Sequence, residues 1–287
     1  MTPYKETRGG WRRHAHGGGL VESTATVAET AWVDRAATVA EHAVVGGNAR
    51  IGGRAVVAEG ARVTGDAWVG GGARVGGQAR VEGRARIEGE AWVAGSASVS
   101  GDAVVLGRAR VEGRARVKDC ARVEGAARVE DDALVDGNAW LADSAWVAGK
   151  ARVGGNAWVD GNVWVAGEAR VTGDARLTGG AWVEGRARLQ GDAFVEGRAW
   201  VGGGALITRN AHYLHAFVLG YNATAWRTAA GGIEFRYGCE VHPLEEWERM
   251  LPKLCMRYEP ARAGLFESAL THFIELARHS LPDGLGG

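Results

Sequence analysis

The sequence predicts an all-β solenoid, a parallel β-helix of about 32 hexapeptides closed by a small α+β cap. Three observations predict it. Every sixth residue from Val21 to Ile207 is a branched aliphatic, Val at 26 of the 32 positions and Ile or Leu at the others. Two residues before each of them, from Ala25 to Ala205, stands Ala at 30 of 31 positions, Val163 being the exception. No Pro lies between Pro3 and Pro243, so no residue of this stretch lacks an amide hydrogen for a strand ladder.

The unit reads Ala-x-Val-x-Gly-x. Its two apolar residues are two apart, so on a strand they share one face while the residue between them points the other way. The x-Gly-x that follows turns the chain. Gly holds the turn slot in 23 of the 31 hexads from 23 to 203, and Asp119, Asp131 and Asp143 stand in at three more; both residue types tolerate positive φ. Three six-residue sides close a coil of about 18 residues, and nearly eleven coils at the ~4.8 Å inter-strand spacing make a prism on the order of 50 Å long. Written from the aliphatic, Val-x-Gly-x-Ala-x resembles the hexapeptide repeat of left-handed parallel β-helices. That resemblance implies the hand of the coil, an exception to the right-handed crossover rule.

Three segments follow in order. Residues 1–20 are a Gly-rich, basic lead-in with Tyr4 and Trp11 as its aromatic anchors, readable as a basic arm or as a segment lying over the first coil. Residues 21–210 are the β-helix. Residues 211–287 change composition and read as a hairpin plus two helices. Ala223–Thr228 and Ile233–Tyr237 alternate around a Gly turn. Pro243 and the acids after it start a helix that Pro252 is expected to end near Leu251. Ala261 to His279 carries Phe266, Leu270, Phe273 and Ile274 at helical spacing. Such a piece can plug the open end of a solenoid.

Composition narrows the function classes. Lys plus Arg equals Asp plus Glu at 34 each, so no global charge pulls the chain toward nucleic acid or membrane. Three cysteines are too few for a secreted disulfide framework. No apolar run has the length of a membrane span, and the N-terminus lacks the apolar core of a signal peptide, so a cytoplasmic location is expected.

The middle residue of each Ala-x-Val triplet decorates a wall, and residues 18 apart share one. The first wall carries mostly Trp and Arg, from Trp32 to Phe194, with Val104 between Arg86 and Arg122. The second is Arg-rich, with Arg152, Arg170 and Arg188 an anionic-contact column; turn acids such as Glu82, Glu88, Glu124 and Glu184 are expected to neutralise its arginines in an ion-pair lattice. The third ends in Trp146, Trp164, Trp182 and Trp200. Indoles one coil apart can stack within the chain, meet the same wall of another copy, or bind a glycan. A flat wall without a concave pocket disfavours a small ligand.

The chemistry expected of an enzyme is thin. No His lies between His42 and His212 and no insertion breaks the hexads, so the coils lack a general base and the trio of histidine metal ligands that carbonic anhydrases of this fold use. Thr ladders of an ice-binding face are absent. In the C-terminal piece, His212-x-x-His215 and Cys239-x-x-His242 form two close-spaced ligand pairs that could hold a tetrahedral zinc, although structural zinc sites usually carry at least two cysteines.

Gly17–Glu22 leading into the coils, the long array, Thr224-Ala-Trp-Arg-Thr228, Gly232-Ile233, Gly238-Cys239 and Leu244-Glu-Glu-Trp247 together resemble a group of bacterial and prophage-borne hexapeptide-repeat proteins that includes the YdcK-like proteins. The resemblance implies the label acyltransferase, with a site that would sit at the cap near His212, His215 and His242. The residues themselves point instead to a non-catalytic scaffold without cofactor, presenting flat walls to a protein partner, best a copy of itself; a glycan-binding module is the third reading.

Overall fold

The computed structural model describes residues 6–7, 10–209, 212–258 and 260–281. Tyr4 and the expected 210/211 boundary lie outside them. The chain forms a three-sided parallel β-solenoid whose walls hold ten, eleven and thirteen strands, followed by a four-stranded antiparallel sheet and two helices.

Each hexad contributes one two-residue strand, and each strand pairs in parallel with the one 18 residues on: Trp140 with Trp158, Arg152 with Arg170, Trp146 with Trp164. The register runs without interruption from the strand Leu20–Glu22 to the strand Leu206–Ile207, as the repeat requires. The aliphatic and alanine rows are buried and form one continuous core. Alanine on one side of the corner and valine on the other keep the interior narrow enough for three walls to meet without a void.

The turn slot is left-handed from Glu41 to Gly203. At Gly89 φ is +72°, and a Cβ there would lie 2.7 Å from the carbonyl oxygen of Gly107 in the next coil, so side chains are strained at this position. Asp119, Asp131 and Asp143 nevertheless occupy the slot at φ 63°, 60° and 54°. Each offsets the strain with a hydrogen bond to the neighbouring coil. Their carboxylates accept the amide hydrogens of Gly137 (3.2 Å), Gly149 (3.0 Å) and Gly161 (3.3 Å), one coil further on.

A parallel ladder of this kind has two chemically different ends. Most amide hydrogens that bridge coils donate to carbonyls of the next coil, as from Trp92 to Ala109 and from Arg188 to Ala205. The first coil is therefore left mostly with bare carbonyls and the last mostly with bare amides, which must be paired or solvated. The lead-in supplies donors. Its strand Trp11–Arg13 runs antiparallel to Leu20–Glu22, the Arg12 guanidinium reaches the carbonyls of Glu22 and Ala25 (both 3.4 Å), and Nε2 of buried His14 reaches that of Ala28 (3.2 Å). Of the two readings of residues 1–20, the segment lying over the first coil is the one observed for residues 10–19. The C-terminal end is met by acceptors: Thr224 Oγ1 takes the amide hydrogen of Trp200 (3.3 Å) and His212 Nδ1 takes that of Thr208 (3.2 Å).

The cap is larger than a hairpin. Strands Tyr213–Val218, Tyr221–Arg227, Ile233–Tyr237 and Glu240–Pro243 form one antiparallel sheet in chain order; the expected hairpin is its middle pair. Trp226 is fully buried and joins the core of the coils, so it is the stopper, and its Nε1–H donates to Glu234 (3.0 Å). Helices Leu244–Tyr258 and Ala263–Ser280 cover the sheet through Trp247, Leu251, Phe266, Leu270 and Phe273. The first helix does not stop at Leu251. Pro252 is exposed within it, while the adjacent Leu251 and Cys255 are buried in the cap core, and that packing carries the helix through the proline's missing donor. Among the described residues no helix is long and apolar enough to cross a membrane.

Candidate functional site

The third wall brings Trp146, Trp164, Trp182 and Trp200 onto successive rungs. Trp146 and Trp164 stack nearly parallel, 5.4 Å between centroids at 16°; Trp164 and Trp182 meet edge to face at 4.2 Å, and Trp182 and Trp200 at 5.2 Å and 50°. Between Trp146 and Trp164 the ring faces turn toward each other, which leaves a glycan little open ring face on that pair. Arginines close the column at both ends. Arg128 lies over Trp146 (5.7 Å) and Arg110 over Trp92 (5.5 Å), while Arg236 from the cap lies over Trp200. Glu184 accepts the Trp200 indole hydrogen (2.8 Å) and faces Arg236 at 3.9 Å. Burial pushes the Arg236 guanidinium down to about 10 against the opposing pull of Glu184. Trp182, 38% exposed, and Trp92, 42% exposed, are the aromatic side chains this wall shows most to solvent.

The second wall also stacks as expected, with Arg152, Arg170 and Arg188 on consecutive rungs. The ion-pair lattice expected over it does not form. Arg152 is held by the buried Asp136 (2.8 Å), but Arg62, Arg80, Arg116, Arg170 and Arg188 have no ion pair among the described residues. The acids pair elsewhere, Glu88 with Arg86 and Glu124 with Arg122 on the first wall, Glu184 with the cap. Those first-wall pairs join a strand arginine to an acid two residues later. On the second wall that later position holds Thr64, Lys118, Gly154, Thr172 and Gln190 after five of the arginines, and Glu82 after Arg80 makes no pair among the described residues.

The four ligands considered for zinc are not gathered. His212 is fully buried at the end of the coils, its Nδ1 accepting from the Thr208 amide and its Nε2 lying 3.2 Å from Arg209 Nε. His215 lies on the first strand of the cap sheet, with Nδ1 on Thr224 Oγ1 (3.1 Å). His242 lies on the fourth, beside Glu240 (3.2 Å) and Glu246 (3.7 Å), three ladder spacings, roughly 14 Å, from the first strand. Cys239 is exposed in the turn before it. No group of three or more metal-ligating side chains occurs among the described residues. The same geometry bears on acyl transfer. His212 is enclosed, with Nδ1 taken by the Thr208 amide and Nε2 facing the Arg209 cation, and the Thr224 hydroxyl beside His215 is buried and already accepts the Trp200 amide hydrogen, so that pair fastens the cap to the last coil.

Between the cap sheet and its helices lies an apolar cavity of about 180 Å³, lined among others by Tyr221, Tyr237, Cys239, Trp247, Cys255 and Phe266. Burial pushes the Cys255 thiol up, as for a core residue. Sequence reading missed this cavity and the role of Arg236. The Gly238-Cys239 turn was a signal for the first; nothing periodic marked the second. No protein-family model and no curated protein matches the chain.

Burial lowers the pKa of His212, helped by Arg209 and Arg227, and burial also lowers that of His215. Folded, both bind a proton less readily than in the unfolded chain, so the unfolded state takes up more protons as pH falls through the ordinary histidine range near 6.5. The stability these two groups confer is present above that range and lost below it. Hydrogen exchange of the strand Tyr221–Arg227, corrected for the intrinsic pH dependence of exchange, should lose protection between about pH 7.5 and 5.5. His212→Gln should flatten part of that slope; an unchanged slope would assign the acid sensitivity to other groups.

Proposed function

We propose that the chain is a non-catalytic interaction scaffold that associates with a copy of itself through the third wall. The observation that carries this reading is the ladder from Trp92 to Trp200, which concentrates aromatic and arginine side chains, with Trp92 and Trp182 still exposed, on one flat face. Aromatic residues and Arg are what interface centres are enriched in. Such a ladder exposes several hundred Å² of apolar surface, as much as a monomer ordinarily leaves in one patch. The orientation of the stacked indoles favours this over a glycan, and the enclosed His212 favours it over acyl transfer at the cap.

The test is sedimentation over a range from sub-micromolar to about 100 μM, which brackets the affinity of an interface at the small end of the stable range. The parent is expected to pass from monomer to dimer. The double variant Trp164→Arg/Trp182→Arg should keep the parent's circular dichroism, because Arg already fills this slot in many hexads, and should remain monomeric. A parent that stays monomeric throughout, or a double variant that sediments like the parent, would reduce the column to stacking within one chain.

A further inference from the structure

The third wall is not uniform along its length. Its N-terminal half carries Arg74, Trp92, Arg110 and Arg128 on successive rungs, and its C-terminal half the four tryptophans. Resting on the self-association proposed above, we infer that two copies pack third wall to third wall with their solenoid axes antiparallel, about a two-fold axis parallel to the strands that passes between the rungs of Arg128 and Trp146.

That operation matches the two halves rung for rung. Arg128 meets the partner's Trp146, Arg110 meets the partner's Trp164, and Trp92 meets the partner's Trp182, each contact occurring twice. Arg74 falls at the rim, opposite the partner's Trp200. Arginine suits this role, since its weakly hydrated guanidinium and apolar stem cover an indole at little desolvation cost. The two most exposed indoles of the wall, Trp92 and Trp182, come to lie on each other.

Charge disfavours two alternatives. With axes parallel, every rung would face its own copy, Arg110 on Arg110 and Arg128 on Arg128, and like charges opposed across an interface cost several kcal/mol. The Arg-rich second wall fails the antiparallel operation as well. Aligning the second wall end to end sets Arg62 on the partner's Arg170 and Arg80 on the partner's Arg152. On the third wall no like charges of the column meet.

Shape agrees with charge. Beyond Arg74 the next three rungs carry Val56, Thr38 and Leu20, uncharged side chains smaller than Trp or Arg. This is the level at which the partner's cap, extending past its last coil, needs room. The eight matched rungs at ~4.8 Å spacing span about 38 Å, and a strand-wide face of roughly 16 Å then gives on the order of 600 Å² per copy. That is near the lower bound for a stable interface, so a micromolar dimer is expected.

Charge exchange tests the register. Trp164→Arg should weaken dimerisation at least ~100-fold by opposing the partner's Arg110 twice. Adding Arg110→Glu in the same chain should restore it to within about tenfold of the parent, because the guanidinium introduced at position 164 then meets the carboxylate introduced at position 110 of the other copy. Trp164→Glu alone should dimerise at least as tightly as the parent at low salt. With axes parallel, or shifted by a rung, the double variant would not recover, and with axes parallel Trp164→Glu would dissociate. A dimeric parent without that recovery overturns the register and leaves self-association standing; a monomeric parent overturns both. Circular dichroism of each variant, matched to the parent, keeps a failure to fold from passing as dissociation.

Discussion

Replacing Trp226 by Ala is expected to cost roughly 3–5 kcal/mol and to open the C-terminal end of the solenoid. Trp226 is fully buried in the core formed by the Val and Ala rows, and its strand lies across the last rungs of two walls. Truncation leaves a cavity at the one place where the interior of the coils would otherwise meet water. It also strands Glu234, whose carboxylate accepts the indole hydrogen. Because each coil touches only its neighbours, the damage should be confined. Hydrogen exchange should rise over residues 190–227 while coils near residue 100 keep the parent's protection. Loss of protection along the whole array would show that the ends and the middle unfold as one unit, contrary to this expectation.

The opposite experiment places the fault in the middle. Val111 is buried between Val93 and Val129 of the adjacent coils, surrounded by the apolar rows of the prism. Val111→Asp puts a carboxylate there without a partner, at an expected cost above ~4 kcal/mol. Neither neighbour can relax far, since each is held by ladder bonds to the next coil. A new protease-sensitive segment should appear between about residues 93 and 129, with the cap and the C-terminal coils still protected. Proteolysis followed by mass spectrometry reads both features. A variant as resistant as the parent would mean that the coils can accommodate a charge, and with it that the interior is wetter than its burial indicates.

Much of the fold was legible because the repeat makes neighbours predictable. Residue n pairs with residue n+18 at every level, so the contents of all three walls, including the tryptophan column and the row Arg152, Arg170 and Arg188, could be written down from spacing. Asp119, Asp131 and Asp143 were legible as corner residues; that their carboxylates hold the next coil's glycine amide was not, because it depends on a side-chain rotamer. The expected neutralisation of the second wall failed for the same reason. Spacing shows which acids are near, while the direction of each side chain decides whether Glu124 meets Arg122 or an arginine around the corner.

In the cap, local signals competed with contacts distant in sequence. Pro252 read as a stop, yet burial of Leu251 and Cys255 carried the helix to Tyr258. His212, His215, Cys239 and His242 looked like two ligand pairs, but a four-stranded sheet separates His215 from His242. Arg227 reaches the carbonyl of Leu281, 54 residues away, and Arg236 covers Trp200. The sequence by itself determined the solenoid, its register, its buried rows and the order of side chains on each wall, since in a stacked array every contact is a fixed step along the chain. Only the tertiary structure decided how the two ends are closed, which arginines are left without acids and where the cap histidines point, because those contacts join residues at separations that no period encodes.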